Sequence, residues 1–78
     1  MRKKKGKHNP ALYKPDVVLA GDWRLFVQRV PLMTEEELKR ALDTERAGAN
    51  RPSYLDRLYK KYNSRRSARE RRELLEAV

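Results

Sequence analysis

Hydrophobic positions in the middle of the chain repeat with the period of a helix. Leu38 and Leu42 lie on one side of a segment that begins with three consecutive glutamates. Thr34 precedes these glutamates, and Glu37 follows it by three residues, which is the spacing of a capping box. Consecutive glutamates point in different directions, so we interpret them as favourable charges at the start of a helix dipole rather than as a metal or catalytic cluster. The pattern predicts a helix over residues 35–47.

A second and broader apolar face follows after a short turn. Gly48 is expected to end the first helix in the left-handed conformation, and Asn50 is expected to cap the next helix, with Pro52 in its first turn. The apolar positions then recur at helical spacing, at Tyr54, Leu55, Leu58, Tyr59 and Tyr62. Two helices with a short connection predict an antiparallel or crossed helical hairpin over about 35–47 and 51–64.

The hydrophobic pattern of residues 17–30 matches two templates. Gly21 and Asp22 separate two apolar runs, as in the two-residue turn of a β-hairpin. The other template is a short helix that is capped by Asp22. Its apolar side would hold Trp23, Phe26, Val27 and Val30. The valines favour a β-hairpin or extended segment. At least one of Trp23 and Phe26 is expected to anchor the core, and the alternative role for Trp23 is a stacking platform for bases.

Beyond the tyrosines, the apolar stripe gives way to an arginine-rich run. A C-terminal helix is predicted over about 66–77, and Ser67 with Glu70 has the spacing of a second capping box. Residues 64–78 are therefore a candidate for a mobile helical extension. The expected fold class is mainly α.

Composition limits the chain to one small domain. It has 78 residues, of which 38% are hydrophobic and 40% are charged, so any core is thin. Residues 1–15 contain lysines, a glycine and two prolines without a periodic apolar pattern, which predicts a disordered basic arm. The single domain is expected to occupy residues 16–78.

The chain contains no cysteine, so it has neither disulfides nor thiolate metal ligands, as is typical of proteins in a reducing cytoplasm. Its longest apolar run is too short to span a membrane, and its basic start is not followed by the apolar segment of a secretory signal. These features predict a soluble cytoplasmic protein with no membrane span.

Residue types that carry catalysis are scarce. His8 is the single histidine and lies in the predicted arm, and no glycine-rich phosphate loop or histidine–carboxylate cluster is found. A thin core is also poorly suited to forming a pocket for a small-molecule substrate. We therefore expect a protein that is not an enzyme and that uses no cofactor or metal.

Positive charge is concentrated at the two ends of the chain. The formal net charge is +9. Residues 1–14 carry six basic and no acidic groups, residues 15–49 have a net charge of −2, and residues 50–78 have a net charge of +5. Such a distribution attracts polyanions, so DNA or RNA is the expected partner.

Helical spacing separates the C-terminal arginines into two groups. Arg69 and Arg72 belong to the group with a glutamate four residues later, which partly neutralises them. Arg57, Lys61 and Arg65 follow the same four-residue spacing and have no such glutamate. The candidate phosphate-binding residues are Arg51, Arg57, Lys60, Lys61, Arg65, Arg69 and Arg72, together with Lys3, Lys4 and Lys5 of the arm.

The segment AGANRPSYLDRL, Ala47 to Leu58, resembles the turn and the start of the recognition helix in bacterial helix-turn-helix repressors. The resemblance implies DNA binding and a transcription-related role. The residues that it assigns to DNA are Arg51, Ser53 and Tyr54 in the groove, and Arg57 and Lys61 at the backbone. The sequence departs from that family at Asp43 and Thr44, where the repressors have a large apolar residue and an alanine.

The layout of the whole chain resembles that of small basic proteins encoded by tailed phages, with a lysine-rich start, a capped helix and an arginine-rich close. That resemblance implies a binding role, often toward nucleic-acid machinery in the host cytoplasm. It leads to a second hypothesis, a regulator or inhibitor that binds a cellular or host protein. The candidate contacts for such a partner are Trp23, Tyr54, Tyr62, Leu74 and Leu75. A strand over 23–30 would add an edge for strand addition.

Overall fold

The computed structural model describes residues 8–77, and over this range the chain is mainly helical and contains no strand. The α-helices are α1 (Pro15–Val18), α2 (Trp23–Arg29), α3 (Glu35–Ala47) and α4 (Pro52–Glu76). Two short 3-10 helices lie at Pro10–Tyr13 and Val30–Leu32. The predicted mainly α class is confirmed. None of the helices in the described range combines the length and apolar character needed to cross a bilayer.

Helix α3 begins and ends at the predicted residues, and local side chains fix its start. The hydroxyl oxygen of Thr34 accepts a bond of 3.2 Å from the backbone N–H of Glu37. The Glu37 carboxylate in turn accepts a bond of 3.0 Å from the backbone N–H of Thr34. This reciprocal pair confirms the capping box, and Leu38, in the next turn, is fully buried.

The turn between α3 and α4 differs from its prediction. Gly48 ends α3 with a φ of −111°, and the residue in the left-handed region is Asn50, with a φ of 53°. Asparagine adopts this region more readily than most residues, and here its N–H donates to the carbonyl of Glu45 at 2.7 Å. Asn50 therefore folds back onto the end of α3, and Arg51 occupies the N-cap position of α4 without a side-chain capping bond.

Residues 17–30 contain the end of α1, a turn over 19–22 and all of α2, with no strand, so the favoured β-hairpin interpretation is not borne out. The Asp22 carboxylate accepts from the N–H of Leu25 at 3.3 Å and caps α2, as in the alternative template. Gly21, with a φ of 108°, permits the sharp change of direction before α2. Phe26 and Val30 are buried at i, i+4 spacing. A core that lies on one side of this segment thus outweighs the β-propensity of the valines, and 23–30 offers no strand edge.

The core lies where α1, α2 and the second 3-10 helix pack on the helical hairpin formed by α3 and the first half of α4. Its buried hydrophobic members are Tyr13, Val18, Phe26, Val30, Met33, Leu38, Ala41, Leu42, Tyr54 and Leu58. Each fully buried aliphatic or aromatic side chain stabilises the fold by about 1.5–3 kcal/mol. Of the two candidate anchors, Phe26 is the one that is fully buried.

Helix α4 is continuous from Pro52 to Glu76, which merges the two helices predicted over 51–64 and 66–77. Ser67 does not restart the helix. The run from Tyr62 onward contains no glycine or proline and is rich in arginine, glutamate, alanine and leucine, all good helix formers. At 1.5 Å per residue, α4 is about 37 Å long. Its buried residues, Tyr54 and Leu58, lie in the first two turns, so its distal part extends along a surface.

Residues 8–15 lie against the domain, which differs from the predicted disordered arm over 1–15. Tyr13 is buried, and its ring stacks on the ring of His8 with 4.4 Å between centroids. Nε2 of His8 also lies 2.7 Å from Oε1 of Glu37 in the capping box of α3. The remainder of the predicted arm, 1–7, falls outside the described residues.

Candidate nucleic-acid interface

A shallow groove of about 490 Å³ separates the first half of α4 from the segment that carries α2 and the second 3-10 helix. We call it the α4 groove. One side is apolar and consists of Trp23, Val30 and Pro31. The other side belongs to α4 and consists of Ser53, Asp56, Arg57, Lys60, Lys61 and Ser64. The structure therefore brings three of the predicted phosphate-binding residues together with an aromatic ring.

The period of α4 explains why these basic residues converge. Tyr54 and Leu58 are buried against the core. Arg57 and Lys61 each follow one of them by three residues, which places them about 60° around the helix from the buried side. They consequently lie at its margin, where α4 faces Trp23 of α2.

The electrostatic surroundings of the α4 groove are strongly basic. The guanidinium carbon of Arg57 lies 5.6 Å from the Trp23 ring centroid, within the range of a cation–π contact. Within residues 8–77, neither Arg57 nor Lys61 has a carboxylate within 4 Å. The ammonium of Lys60 pairs with Asp56 at 3.1 Å. Both partners of that pair are well exposed, so it is weak and easily exchanged for a phosphate contact.

Arg65 follows Ser64, lies outside the lining of the groove, and makes a structural contact with the rest of the domain. Its Nη2 donates to the backbone carbonyl of Pro31 at 2.7 Å. The guanidinium is half-buried, and its Nε has no hydrogen-bond partner. Arg65 therefore ties the middle of α4 to the second 3-10 helix and holds the two sides of the groove in place.

Arg51 points into the domain, where it forms an ion pair that no sequence pattern indicated. Its Nε and Nη2 donate to the two carboxylate oxygens of Glu45, each at 2.8 Å, and its backbone N–H donates to the same carboxylate at 2.7 Å. The guanidinium also donates to the carbonyl of Leu19 at 3.1 Å and lies 3.6 Å from the Tyr54 ring centroid. A pair at i, i+6 across a turn belongs to no single helix, so helical spacing cannot reveal it.

The hydrogen bonds from Arg51 also lower the pKa of the Glu45 carboxyl. Glu45 is only 2% exposed, and the hydrogen bonds from Arg51 hold the pKa of its carboxyl below the ordinary value of 4.5. Burial acts in the opposite direction but is the smaller effect. The donors of Arg51 are thus committed to Glu45 and not available to phosphate.

Arg69 also donates its hydrogen bonds to carboxylates, on the side of α4 that faces the start of α3. Its Nε and Nη2 donate to the carboxylate of Glu35 at 2.7 and 3.0 Å, and its Nη1 donates to Glu73 at 3.2 Å. Hydrogen bonding by Arg69 lowers the pKa of the Glu35 carboxyl. This ion pair joins α4 to the start of α3, so Arg69 has a scaffold role.

A second shallow groove, of about 420 Å³, lies along the distal part of α4. Its lining consists of Ala68, Arg71, Arg72, Leu75 and Glu76. Arg72 and Glu76 form no ion pair within 4 Å, although Arg66–Glu70 and Arg69–Glu73 do, at 4.0 and 3.2 Å. The basic pairs 60–61 and 71–72 are eleven residues apart, or about three helical turns, so both lie on one side of α4 with about 17 Å between them.

The remaining predicted contact residues are placed differently. Tyr54 is 6% exposed, so neither the groove-facing role implied by the repressor resemblance nor a partner contact holds for it. Tyr62 is half-buried against the core. Trp23 is 42% exposed, and Leu74 and Leu75 are 67% and 62% exposed. The lysines of the arm, Lys3, Lys4 and Lys5, lie outside the described residues.

Comparison with known proteins does not add a relative. No protein-family model, curated protein or solved structure matches the chain. The resemblances to repressors and to phage proteins therefore stay predictions. The functional proposal below rests on the arrangement of side chains along α4 and α2.

Proposed function

We propose that the protein is a non-enzymatic nucleic-acid-binding module that contacts the phosphate backbone along one side of α4. The observation that carries this proposal is the position of Arg57 and Lys61 in one groove, with no carboxylate within 4 Å among residues 8–77. A cation that neutralises a phosphate releases counterions condensed on the nucleic acid, and this release drives association. Arg57 and Lys61 can make such contacts without first giving up an ion pair among residues 8–77. Ser53 and Ser64 add hydroxyl groups that can donate to phosphate oxygens.

The side of α4 that holds the α4 groove extends beyond it. Arg71 and Arg72 repeat the pair Lys60–Lys61 after about three turns and about 17 Å. This arrangement suits a linear polyanion better than a single phosphate group, because one ligand can reach both pairs. A backbone contact of this kind is insensitive to sequence, and its affinity falls as salt is added.

The test is a titration of the protein into a dye-labelled oligonucleotide, followed by fluorescence anisotropy at several salt concentrations. We expect binding at low salt that weakens steeply as salt is added. The variant Arg57→Ala/Lys61→Ala should lose affinity because two phosphate contacts disappear. Both side chains lie outside the core, so the variant should remain folded.

A matched control removes two positive charges elsewhere. Arg40 and Arg46 are exposed on α3, and Arg46 lines a different groove, on the side of α4 that carries Tyr59. The variant Arg40→Ala/Arg46→Ala should bind more tightly than the α4 variant, since it loses net charge but no groove contact. Absence of binding by the parent protein, or equal loss in both variants, would show that the proposal is wrong.

A second candidate function is binding to a cellular protein. It is favoured by the exposure of Leu74 and Leu75 near the end of α4, because adjacent exposed leucines are common at protein contacts. A pull-down repeated after nuclease digestion retains a direct protein partner and loses one that is bridged by nucleic acid. The variant Leu74→Ser/Leu75→Ser should abolish a retained contact and leave unchanged the binding of an oligonucleotide too short to reach Arg71 and Arg72.

A further inference from the structure

The α4 groove has an apolar side that phosphate binding alone does not use. Trp23, Val30 and Pro31 form this side, opposite the cations of α4. Trp23 is 42% exposed although it is a large apolar residue in a domain with a thin core. A groove that only held phosphates would not need an exposed indole ring next to its cations.

Contacts with the core hold the Trp23 ring in place. The ring lies at a centroid distance of 5.1 Å from Tyr54, edge to face, and 5.3 Å from Phe26. Both neighbours are buried, so the orientation of the indole is set before any ligand arrives. A ring that is already ordered loses little conformational freedom on binding and is suited to serve as a stacking surface.

We propose that the α4 groove binds single-stranded nucleic acid, with an unpaired base against Trp23 and the adjoining phosphates on Arg57 and Lys61. This inference rests on the proposed function and names its ligand class. A single strand presents flat apolar bases and phosphates side by side, and proteins bind it through aromatic platforms within basic grooves. A duplex presents its phosphates but keeps its bases inside the stack, so it leaves the Trp23 side of the groove unused.

The guanidinium of Arg57 connects the two halves of this site. It lies 5.6 Å from the Trp23 ring centroid, so one side chain can approach both a stacked base and its phosphate. Asp56 is the acidic residue in the groove lining, and its carboxylate is well exposed, so solvent and salt screen its repulsion of the strand. Arg71 and Arg72 then provide the next phosphate contacts along a strand of several nucleotides.

Trp23 is the single tryptophan of the chain, so tryptophan emission reports on this site alone. The experiment compares four ligands at one ionic strength: a single-stranded oligonucleotide, its duplex, an abasic strand of equal length, and a free mononucleotide. The abasic strand carries the same phosphates without bases. A dye on each polymer measures affinity by anisotropy, independently of the tryptophan signal.

The single strand should quench Trp23 and bind about five- to 150-fold more tightly than the abasic strand, the range expected for one stacked base. The duplex should bind with little change in emission, and the mononucleotide should bind more weakly than the strand. In the Trp23→Leu variant, affinity for the single strand should fall to that of the abasic strand. Trp23→Phe, which keeps a smaller ring, should retain part of the difference.

The outcomes separate the two levels of the proposal. Equal affinity for the single and abasic strands, with unchanged Trp23 emission, would overturn the stacking site and leave phosphate binding standing. Equal affinity for strand and mononucleotide would indicate a nucleotide site instead. No binding of any polymer would overturn both proposals. The ligand comparison uses the unaltered protein, so it remains decisive even if Trp23→Leu fails to fold.

Discussion

The basic side chains in and before α4 fall into two groups that differ in what they contact. The scaffold group consists of Arg51, Arg65 and Arg69, whose guanidinium groups donate to carboxylates or a backbone carbonyl elsewhere in the domain. The groove group consists of Arg57, Lys60 and Lys61, which line the α4 groove. The scaffold residues lie before and after the groove residues in one basic segment of the chain, so local richness in arginine does not identify a binding residue. The groups that each basic side chain already contacts within the domain distinguish a structural residue from a candidate binding residue.

If this division is correct, the two groups should respond differently to mutation. Changes in the scaffold group should lower the free energy of unfolding. Changes in the groove group should lower affinity for nucleic acid and leave the fold intact. A variant in one group that shows the effect expected for the other group would contradict this division.

The largest effect is expected for Arg51→Ala. The substitution leaves the Glu45 carboxylate buried without its cation, which destabilises proteins by about 3–5 kcal/mol. The lower end applies here, because the guanidinium is 32% exposed. Urea unfolding followed by circular dichroism measures the change. Arg51→Lys, which keeps the charge but not the bidentate geometry, should be intermediate. A stability equal to that of the parent in Arg51→Ala would remove Arg51 from the scaffold group.

Acid should weaken the same contact. The pKa of Glu45 is lower in the folded chain than its ordinary value of 4.5, so the folded state binds this proton less readily than the unfolded state. The contribution of the ion pair is therefore complete above about pH 4.5 and is lost as the pH falls through the depressed pKa. Unfolding midpoints measured between neutral and acidic pH should show this loss.

Two variants identify the source of the acid sensitivity. Glu45→Gln should flatten the profile, since it removes the titrating group. Glu35→Gln should have a smaller effect in the same direction, because the pKa of Glu35 is also lowered, by Arg69, but at a more exposed position. An unaltered acid profile in Glu45→Gln would contradict the assignment to the Glu45–Arg51 pair.

A smaller effect is expected for Arg65→Ala. The variant loses one bond to the carbonyl of Pro31, which corresponds to about 1 kcal/mol in the free energy of unfolding. Lys61→Ala, one turn earlier, is the comparison variant and should change stability by less than about 0.5 kcal/mol. Equal stabilities of the two variants would place Arg65 in the groove group.

The distal arginines should affect only long ligands. Arg71→Ala/Arg72→Ala should reduce affinity for a strand that reaches both basic pairs, which are about 17 Å apart along α4. It should leave the affinity of a strand too short to reach the second pair unchanged. Anisotropy titrations with a series of strand lengths test this, and a loss that is independent of length would argue against a continuous track.

The predictions from the sequence were correct where the residues involved lie close together in one helix, and they failed where the residues belong to different elements of the fold. The capping box of Thr34 and Glu37 lies within one turn and forms as predicted. The spacing of Arg57 and Lys61 also translates directly onto one side of α4. In contrast, the helix at 23–29 depends on where the core lies, and the Glu45–Arg51 pair depends on a turn in which Asn50 adopts a positive φ.

The positions of two further aromatic residues depend on tertiary contacts and could not be decided from the sequence. Tyr13 is buried by packing on the domain, although its neighbours in sequence are those of a flexible arm. Trp23 could be assigned to the core or to a ligand surface from its sequence alone, and in the structure it contacts Tyr54 and Phe26 of the core and lines the α4 groove. Each of these depends on residues far apart in the chain, which periodicity within one segment does not report.

The most direct test of phosphate binding in the α4 groove is the slope of log affinity against log salt concentration for Arg57→Ala/Lys61→Ala. Loss of two phosphate contacts should reduce the magnitude of this slope by about 1.4 on a single strand and about 1.8 on a duplex. The control Arg40→Ala/Arg46→Ala should keep the slope of the parent protein. A groove variant with the slope of the parent protein would contradict phosphate binding in the α4 groove, and a reduced slope in the control variant would place the phosphate contacts on α3 instead.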